Sequence, residues 1–327
     1  MPQSQGHLLS EKEVASLFDG MADEYDAISD LWYSWVFCRL HYFLLVDLAR
    51  SGLSPGGRCL DVGCGTGFQS LLLNLCGHDA VGIDVAGVLL EKAKLKRSED
   101  YLTRDFFDAP FPFARKYSVQ VRELTARYRR NAPIGKSEYR VATAVELPFA
   151  DASFEVVNCC GSTLSFVEDY LKAMREMARV LKPGGLLFLE IENKYTPDLL
   201  WSFLDAKILG GRMGYDGIAR DLFSDRLENT TIDYPFSTKE GEVTMPIWLF
   251  SSGRFLRELR GLGFVVSEIR SVHSVTNLIP SVYLDSARPS RKLVGAFRAL
   301  SSVEEIVAAW PIVRRLGCSL VLTARKP

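Results

Sequence analysis

The sequence predicts an α/β protein built on a doubly wound parallel sheet, and three observations carry that reading. First, Arg58–Val62 is a short apolar run of central-strand character that leads into Gly63-Cys64-Gly65-Thr66-Gly67, with glycine at every second position, and then into the apolar helix Phe68–Leu75. Second, Asp79–Ile83 repeats the strand pattern and ends on Asp84, 21 residues beyond Gly63. Third, further short apolar runs at Tyr139–Ala142, Phe154–Cys160 and Leu186–Ile191 alternate with helical stretches such as Tyr170–Leu181, which Lys182-Pro183-Gly184-Gly185 terminates.

With 327 residues the chain is long enough to bury a sizeable core. Lys and Arg number 39 against 40 Asp and Glu, so no global field selects nucleic acid or an anionic membrane. Seven cysteines, odd in number and without C-x-x-C spacing, read as buried free thiols of a reducing compartment. Four scattered histidines give no metal constellation. Met1–Ser10 lacks the pattern of a signal peptide and no window approaches 18 uninterrupted apolar residues, so a soluble, cytoplasmic protein is expected.

In chain order, Val14, Leu17, Phe18 and Met21 recur at helical spacing, and a second helical run follows over about Leu31–Leu48. Its aromatic residues Trp32, Tyr33, Trp35, Phe37, Tyr42 and Phe43 suit either a helix packed on the sheet or a lid or membrane-facing surface. About 40 residues are inserted before the third strand, with a basic cast from Arg115, Lys116, Arg122, Arg127, Arg129 and Arg130. Val119, Leu124 and Tyr128 are the expected buried face of a helix there. Asn193–Ser252 shows no persistent sheet alternation but many aromatics, among them Trp201, Phe203, Met213, Tyr215, Phe223, Tyr234, Phe236 and Trp248 with their polar neighbours, and reads as a lid or a packing subdomain. Ser252–Leu262 then reads as a helix, Gly263–Ile269 as the sixth strand and Cys318–Ala324 as an antiparallel closing strand. The helices at 11–50 and the inserts at about 95–138, 193–252 and 276–315 are expected to decorate a single domain spanning 1–327.

Glycine in the first loop reaches backbone angles other residues resist and lets a ligand lie against the main chain. A dinucleotide site wants G-x-G-x-x-G, but the third glycine here is Gly67 and the sixth position is Phe68. Asp61, two residues before Gly63, suits a cationic ammonium better than a pyrophosphate. Asp84 can accept both hydroxyl protons of a ribose diol, and can at the same time cap the helix Val88–Lys96.

Leu60-Asp61-Val62-Gly63-Cys64-Gly65-Thr66-Gly67 resembles the first motif of class I S-adenosylmethionine (SAM) dependent methyltransferases. Thr143-Ala144-Val145-Glu146-Leu147-Pro148-Phe149 resembles the adenine segment of that family, with Thr143 where an aspartate is usual. Asp151-Ala152-Ser153-Phe154 and the run Glu176–Gly185 are also typical of it, and Ala22-Asp23-Glu24-Tyr25-Asp26 resembles the pre-core segment of quinone methyltransferases, whose tyrosine closes over the cofactor. The resemblance, nearest to the type 11 and ubiquinone/menaquinone methyltransferases, covers about 59–92, 139–191 and 252–275. It implies a seven-stranded Rossmann-like class I methyltransferase sheet with helical inserts. It also implies SAM as cofactor, held by Asp61, Gly63, Cys64, Gly65, Gly67, Asp84, Val85, Thr143, Ala144, Val145, Cys160 and Tyr25.

Methyl transfer from SAM needs alignment and exclusion of water rather than a dedicated nucleophile, with a base where the acceptor loses a proton. Tyr25, His41, Tyr195 and His273 are the candidates. The expected acceptor is a small or medium-sized, largely apolar molecule, aromatic, quinone-like or lipidic. Two alternatives stay open: an RNA methyltransferase using the basic 112–140 insert, and a non-catalytic SAM-binding protein. The balanced charge and the lack of an RNA-binding module argue against nucleic acid. Peripheral membrane contact and the oligomeric state stay open as well.

Overall fold

Strands that are apolar along their whole length must be covered on both faces, and this is how the sheet is arranged. The computed structural model describes residues 8–26, 30–102, 111–198, 201, 204, 228–238, 241–284 and 288–327. Its main sheet contains β1 (Arg58–Val62), β2 (Asp79–Asp84), β3 (Ser137–Val141), β4 (Phe154–Cys159), β5 (Leu181–Glu192), β8 (Val265–Val272) and β9 (Ser319–Arg325), in the order β3-β2-β1-β4-β5-β9-β8. The first five are parallel, and β9 runs antiparallel between β5 and β8. The predicted doubly wound seven-stranded sheet is therefore the observed one.

Helices cover both faces: α1 (Glu11–Gly20), α2 (Leu31–Ser51), α3 (Phe68–Leu75), α4 (Gly87–Leu95), α5 (Pro112–Arg129), α6 (Tyr170–Val180), α7 (Ser252–Gly261), α8 (Ser281–Leu284) and α9 (Arg291–Val307). Local signals set their ends. Ser10 and Glu13 form a capping box on α1, Asp30 caps α2 and Gly52 closes it in the left-handed region, and Asp169 caps α6. The aromatic helix α2 packs on the sheet, burying Trp35, Phe43 and Leu44. Its Asp47 accepts two hydrogen bonds from Arg270 of β8, at 2.6 and 2.7 Å, and one from Thr323 of β9. That bidentate pair fixes where α2 lies across the antiparallel edge.

Three expectations need correction. Within Asn193–Ser252 the structure has an antiparallel hairpin, β6 (Thr230–Thr238) and β7 (Gly241–Leu249), paired along its full length. Pro235 and Pro246 interrupt its alternation, which is why the sequence did not read as strands. Phe203, Met213, Tyr215 and Phe223 of the same stretch, and positions 103–110 of the first insert, lie outside the described residues. On α5 the buried face is Ala114, Tyr117 and Val121, with Leu124 and Tyr128 partly covered, whereas Val119 is exposed. Finally, Lys182–Gly185 does not precede β5 but loops out of it: Leu181 already pairs with Phe154, and pairing resumes at Leu186 with Val156.

Candidate active site

The glycine loop takes its shape from backbone no other residue adopts comfortably. Gly63, Gly65 and Gly67 have φ of 67°, 51° and 84°. A Cβ on Gly63 would stand 2.2 Å from Thr163 Oγ1, and one on Gly65 would stand 3.1 Å from the Tyr25 ring. The loop is held to β2 through Cys64 N–H donating to the Ile83 carbonyl at 2.9 Å and Gly65 N–H donating to Asp84 Oδ2 at 2.8 Å. Asp84 Oδ1 accepts from Ala86 N–H at 2.9 Å, and burial raises the carboxyl above its ordinary range. Asp84 therefore does not cap α4 directly: Val88 N–H is taken by Asp19 of α1 at 2.7 Å.

The loop, the ends of β1 and β2 and the segment after β3 line a cavity, to which they contribute Val62, Gly63, Ile83, Asp84, Val85, Ala142 and Ala144. The same cavity is also lined by Glu11, Val14 and Phe18 of α1 with Tyr25, and by Gly161, Thr163, Phe166 and Val167 beyond β4. The cavity thus sits at the carboxyl ends of the parallel strands, where ligands of open sheets collect. Segment 21–26 is clipped to the loop: Thr66 Oγ1 donates to Asp26 Oδ1 at 2.5 Å, and Lys96 pairs with Asp26 Oδ2 at 2.7 Å while donating to the Thr66 carbonyl at 2.9 Å. On the far side, Arg179 of α6 donates to the carbonyls of Leu147 and Phe149, fixing the stretch that follows Thr143.

The sequence-predicted residues separate into those that line this cavity and those that brace it. Gly63, Asp84, Val85, Ala144 and Tyr25 line it. Asp61 is buried in the wall, accepting from Ser70 Oγ at 2.6 Å and Asn158 Nδ2 at 2.7 Å, and burial pushes its carboxyl up to about 6. It joins β1, α3 and β4 rather than facing a ligand. Cys160 likewise donates to Asn158 Oδ1 at 3.3 Å, while its carbonyl accepts from Thr163 Oγ1 at 2.8 Å. Cys64 is buried behind the loop, and Val145 packs on the core beyond the cavity. Thr143 Oγ1 accepts Val145 N–H at 3.2 Å and bonds Glu11, so it ties α1 to the rim.

Of the base candidates, only Tyr25 is in the cavity wall, and burial lifts its hydroxyl well above the ordinary range, keeping it neutral. His41 is buried in α2 beside the Phe37 and Phe68 rings, where desolvation lowers it to about 3. His273 stacks on Trp32 at 3.8 Å, and its two ring nitrogens meet Thr276 Oγ1 at 2.8 Å and the Trp32 carbonyl at 3.1 Å. Tyr195 is half-buried just past β5, its N–H on Asn193 Oδ1. The structure does not bring these three into the cavity wall.

Glu190 and Glu192 escaped the sequence reading. Both leave β5 beside the cavity: Glu190 Oε2 accepts Ser162 N–H at 2.6 Å, and Glu192 Oε1 accepts Ser162 Oγ at 2.5 Å. Together they hold Ser162 in the left-handed region at φ 59°, next to the cavity-lining Gly161 and Thr163. Burial raises both carboxyls. The visible signal was two glutamates inside an otherwise apolar strand, Leu186-Leu187-Phe188-Leu189-Glu190-Ile191-Glu192.

The sequence model of the family described as a methyltransferase domain matches residues 60–118 and 113–189, the stretch that supplies the glycine loop, Asp84, Ala144 and Gly161. Residues 60–189 carry a class I methyltransferase domain. The ubiquinone/menaquinone biosynthesis C-methyltransferase UbiE of Vibrio campbellii is 34% identical to the chain over 198 residues, 59% of this chain and 62% of its own length. The demethylmenaquinone methyltransferase of Renibacterium salmoninarum is 32% identical over 54% of this chain and 56% of its own. The O-methyltransferase resE of Aspergillus sclerotiorum is 30% identical over 42% and 41%. The chain thus spans about three fifths, or less, of the relatives it matches. In fold it is similar to the [4+2]-cyclase SpnF, with a TM-score of 0.52 over 98% of both chains at 20% identity.

The residues of this methyltransferase domain fit SAM, the cofactor of its class. Gly63 and the Asp84 carboxylate line the same cavity at the carboxyl ends of β1 and β2. The Asp84 carboxylate, with about four lone-pair sites, keeps acceptor capacity beyond its two backbone bonds.

Proposed function

We propose that this protein transfers the methyl group of SAM to a small or medium-sized, largely apolar acceptor of aromatic, quinone-like or lipidic character. The observation that carries the reading is one cavity lined both by the Gly63 backbone and the Asp84 carboxylate and by the apolar Val14, Phe18, Phe166 and Val167. The glycine backbone and the carboxylate suit a nucleoside, and the apolar side chains suit an acceptor without charge. The names of two relatives, which concern quinone methylation, support the same class of acceptor.

When bound, SAM supplies a methyl carbon on a sulfonium, already a strong electrophile. The chain's own contribution is alignment and dryness. In this reading Gly63 and Gly65 cradle the cofactor, Asp84 accepts its ribose hydroxyls, and Val85 and Ala144 flank its base. Asp61, Cys64, Gly67, Thr143, Val145 and Cys160 hold those groups in place from behind. Tyr25 and α1 close over the loop and exclude water, while the apolar side chains orient the acceptor. Orientation of this kind can account for about 7–11 kcal/mol of barrier in favourable systems.

The test is calorimetric titration of SAM, followed by incubation with methyl-labelled SAM and a panel of quinols, phenols and lipid extracts. Micromolar binding with label passing to the organic phase is expected. Failure to bind SAM, or label appearing only in added RNA, overturns the reading.

A further inference from the structure

Helix α9 buries one face, and among the described residues large apolar side chains stand exposed on the other. Phe297, Ser301, Glu304 and Ala308 face inward and are buried. On the outer side of the helix Val303 and Ile306 are exposed, and the turn after its end at Val307 adds Trp310, Ile312 and Leu316. Ile306 is 73% exposed, Trp310 59% and Ile312 74%, a concentration of large apolar side chains on one short stretch.

In sequence, the charges that accompany this stripe are one-sided, though Arg314 is half-buried. Between Arg288 and Leu316 stand Arg288, Arg291, Lys292, Arg298, Arg314 and Arg315 against Glu304 and Glu305. Glu304 is buried, accepting from Trp35 Nε1 and from the backbone of Val275 and Thr276. Glu305 is engaged by Tyr117 at 2.7 Å and Lys116 at 3.3 Å, so its charge is locally offset. What remains is a protruding apolar ridge with an interfacial tryptophan and a cationic margin.

We propose that this ridge, Val303 to Leu316, docks the protein on an anionic lipid surface. Large apolar side chains flanked by Lys and Arg are the composition that buries itself at a headgroup boundary, with tryptophan at the wet–dry junction. Each cation near such a surface adds attraction that salt screens. A second copy of the chain is the competing occupant, but it would bring a like-charged margin against this one, whereas anionic headgroups complement it.

The placement has a purpose that the hydrogen bonds make visible. Asn193, directly after β5, donates from Nδ2 to the carbonyls of Arg315 at 2.9 Å and Gly317 at 2.8 Å, and Ser319 at the start of β9 pairs with Glu192. The ridge is therefore anchored at the carboxyl end of β5, the end of the sheet at which the cavity lies. The inference rests on the helix itself and holds whatever the acceptor is.

Co-sedimentation of the full chain with vesicles of phosphatidylcholine alone, and of phosphatidylcholine with phosphatidylglycerol, tests it. The wild type is expected to pellet with the anionic vesicles at low salt and to be released as salt rises. Ile306→Glu/Ile312→Glu should reduce the bound fraction about fivefold or more with unchanged thermal unfolding, since both positions are exposed. Lys292→Glu/Arg298→Glu/Arg315→Glu, which keeps the ridge, should lose the preference for anionic vesicles. The proposal is overturned if the wild type stays in the supernatant with both vesicle types, or if either variant binds as the wild type does. It is equally overturned if light scattering shows a wild-type dimer that the isoleucine variant converts to monomer.

Discussion

Asp84 holds the glycine loop by its middle residue: Oδ2 accepts the Gly65 N–H at 2.8 Å while Oδ1 accepts the Ala86 N–H at 2.9 Å. One carboxylate therefore shapes the loop and offers its remaining lone pairs to the cavity. Asp84→Ala should weaken SAM binding on the order of 100-fold, since it removes charge-assisted bonds to both backbone and ligand. Asp84→Asn, which keeps one acceptor, should fall between the variant and the wild type in the same calorimetric titration. Equal affinities across the three proteins would remove Asp84 from the site.

Asp61 makes stability depend on pH with a defined sign. Burial raises its carboxyl from 3.8 to about 6, against hydrogen bonds from Ser70 and Asn158 that favour the ionised form. The unfolded chain gives up this proton first as pH rises, so the contribution is fully present below about pH 4 and lost between about 4 and 6. The loss is about 3 kcal/mol. Asp61→Asn cannot titrate, and its stability relative to the wild type should therefore improve over that interval in urea unfolding at pH 4 and pH 6.5.

Gly63 is constrained twice, by its φ of 67° and by Thr163 Oγ1 lying 2.2 Å from where a Cβ would be. Gly63→Ala should destabilise the fold by about 2 kcal/mol or more and abolish measurable SAM binding. Adding Thr163→Gly removes the collision and leaves the backbone strain, so the double variant should regain part of the stability. Complete recovery would show that the collision alone mattered.

His273 should prove structural. Its stack on Trp32 and its bonds to Thr276 and the Trp32 carbonyl commit both ring nitrogens. His273→Ala should cost about 2–4 kcal/mol of stability while SAM affinity stays within about twofold. Burial also depresses its pKa, so protonation opposes folding and stability should decline as pH falls below the ordinary histidine value near 6.5. A fall in methyl transfer with intact stability would instead make it catalytic.

How legible the molecule was in its sequence depended on the range of the interactions. Arg58–Val62 and Phe68–Leu75 have the expected bounds because apolar run length and the glycine loop are local signals. The order of the cavity-lining segments was readable for the same reason. The bracing role of Asp61 was not, because its partners Ser70 and Asn158 come from α3 and β4, and only folding brings the latter near. The hairpin of β6 and β7 was hidden by Pro235 and Pro246, whose effect on alternation depends on register. The Asp26 clip to Thr66 and Lys96 spans about 40 to 70 residues of sequence and left no pattern to see.

Phe166 belongs to two neighbourhoods at once. Its ring meets Phe18 of α1 edge-on at 5.3 Å and lines the cavity, and the same residue packs against Ile247 and Leu249 of the β6–β7 hairpin. An isolated two-stranded hairpin is marginal in water, so this one leans on the residues beneath it. Any molecule that lifts the hairpin must therefore pay for disturbing the cavity wall at Phe166, and filling that cavity steadies the hairpin in return. By thermodynamic reciprocity, whatever one occupant gains from the other is gained equally in the opposite direction. The two substrates of such an enzyme would not bind as strangers: the affinity of each would record whether the other had already arrived.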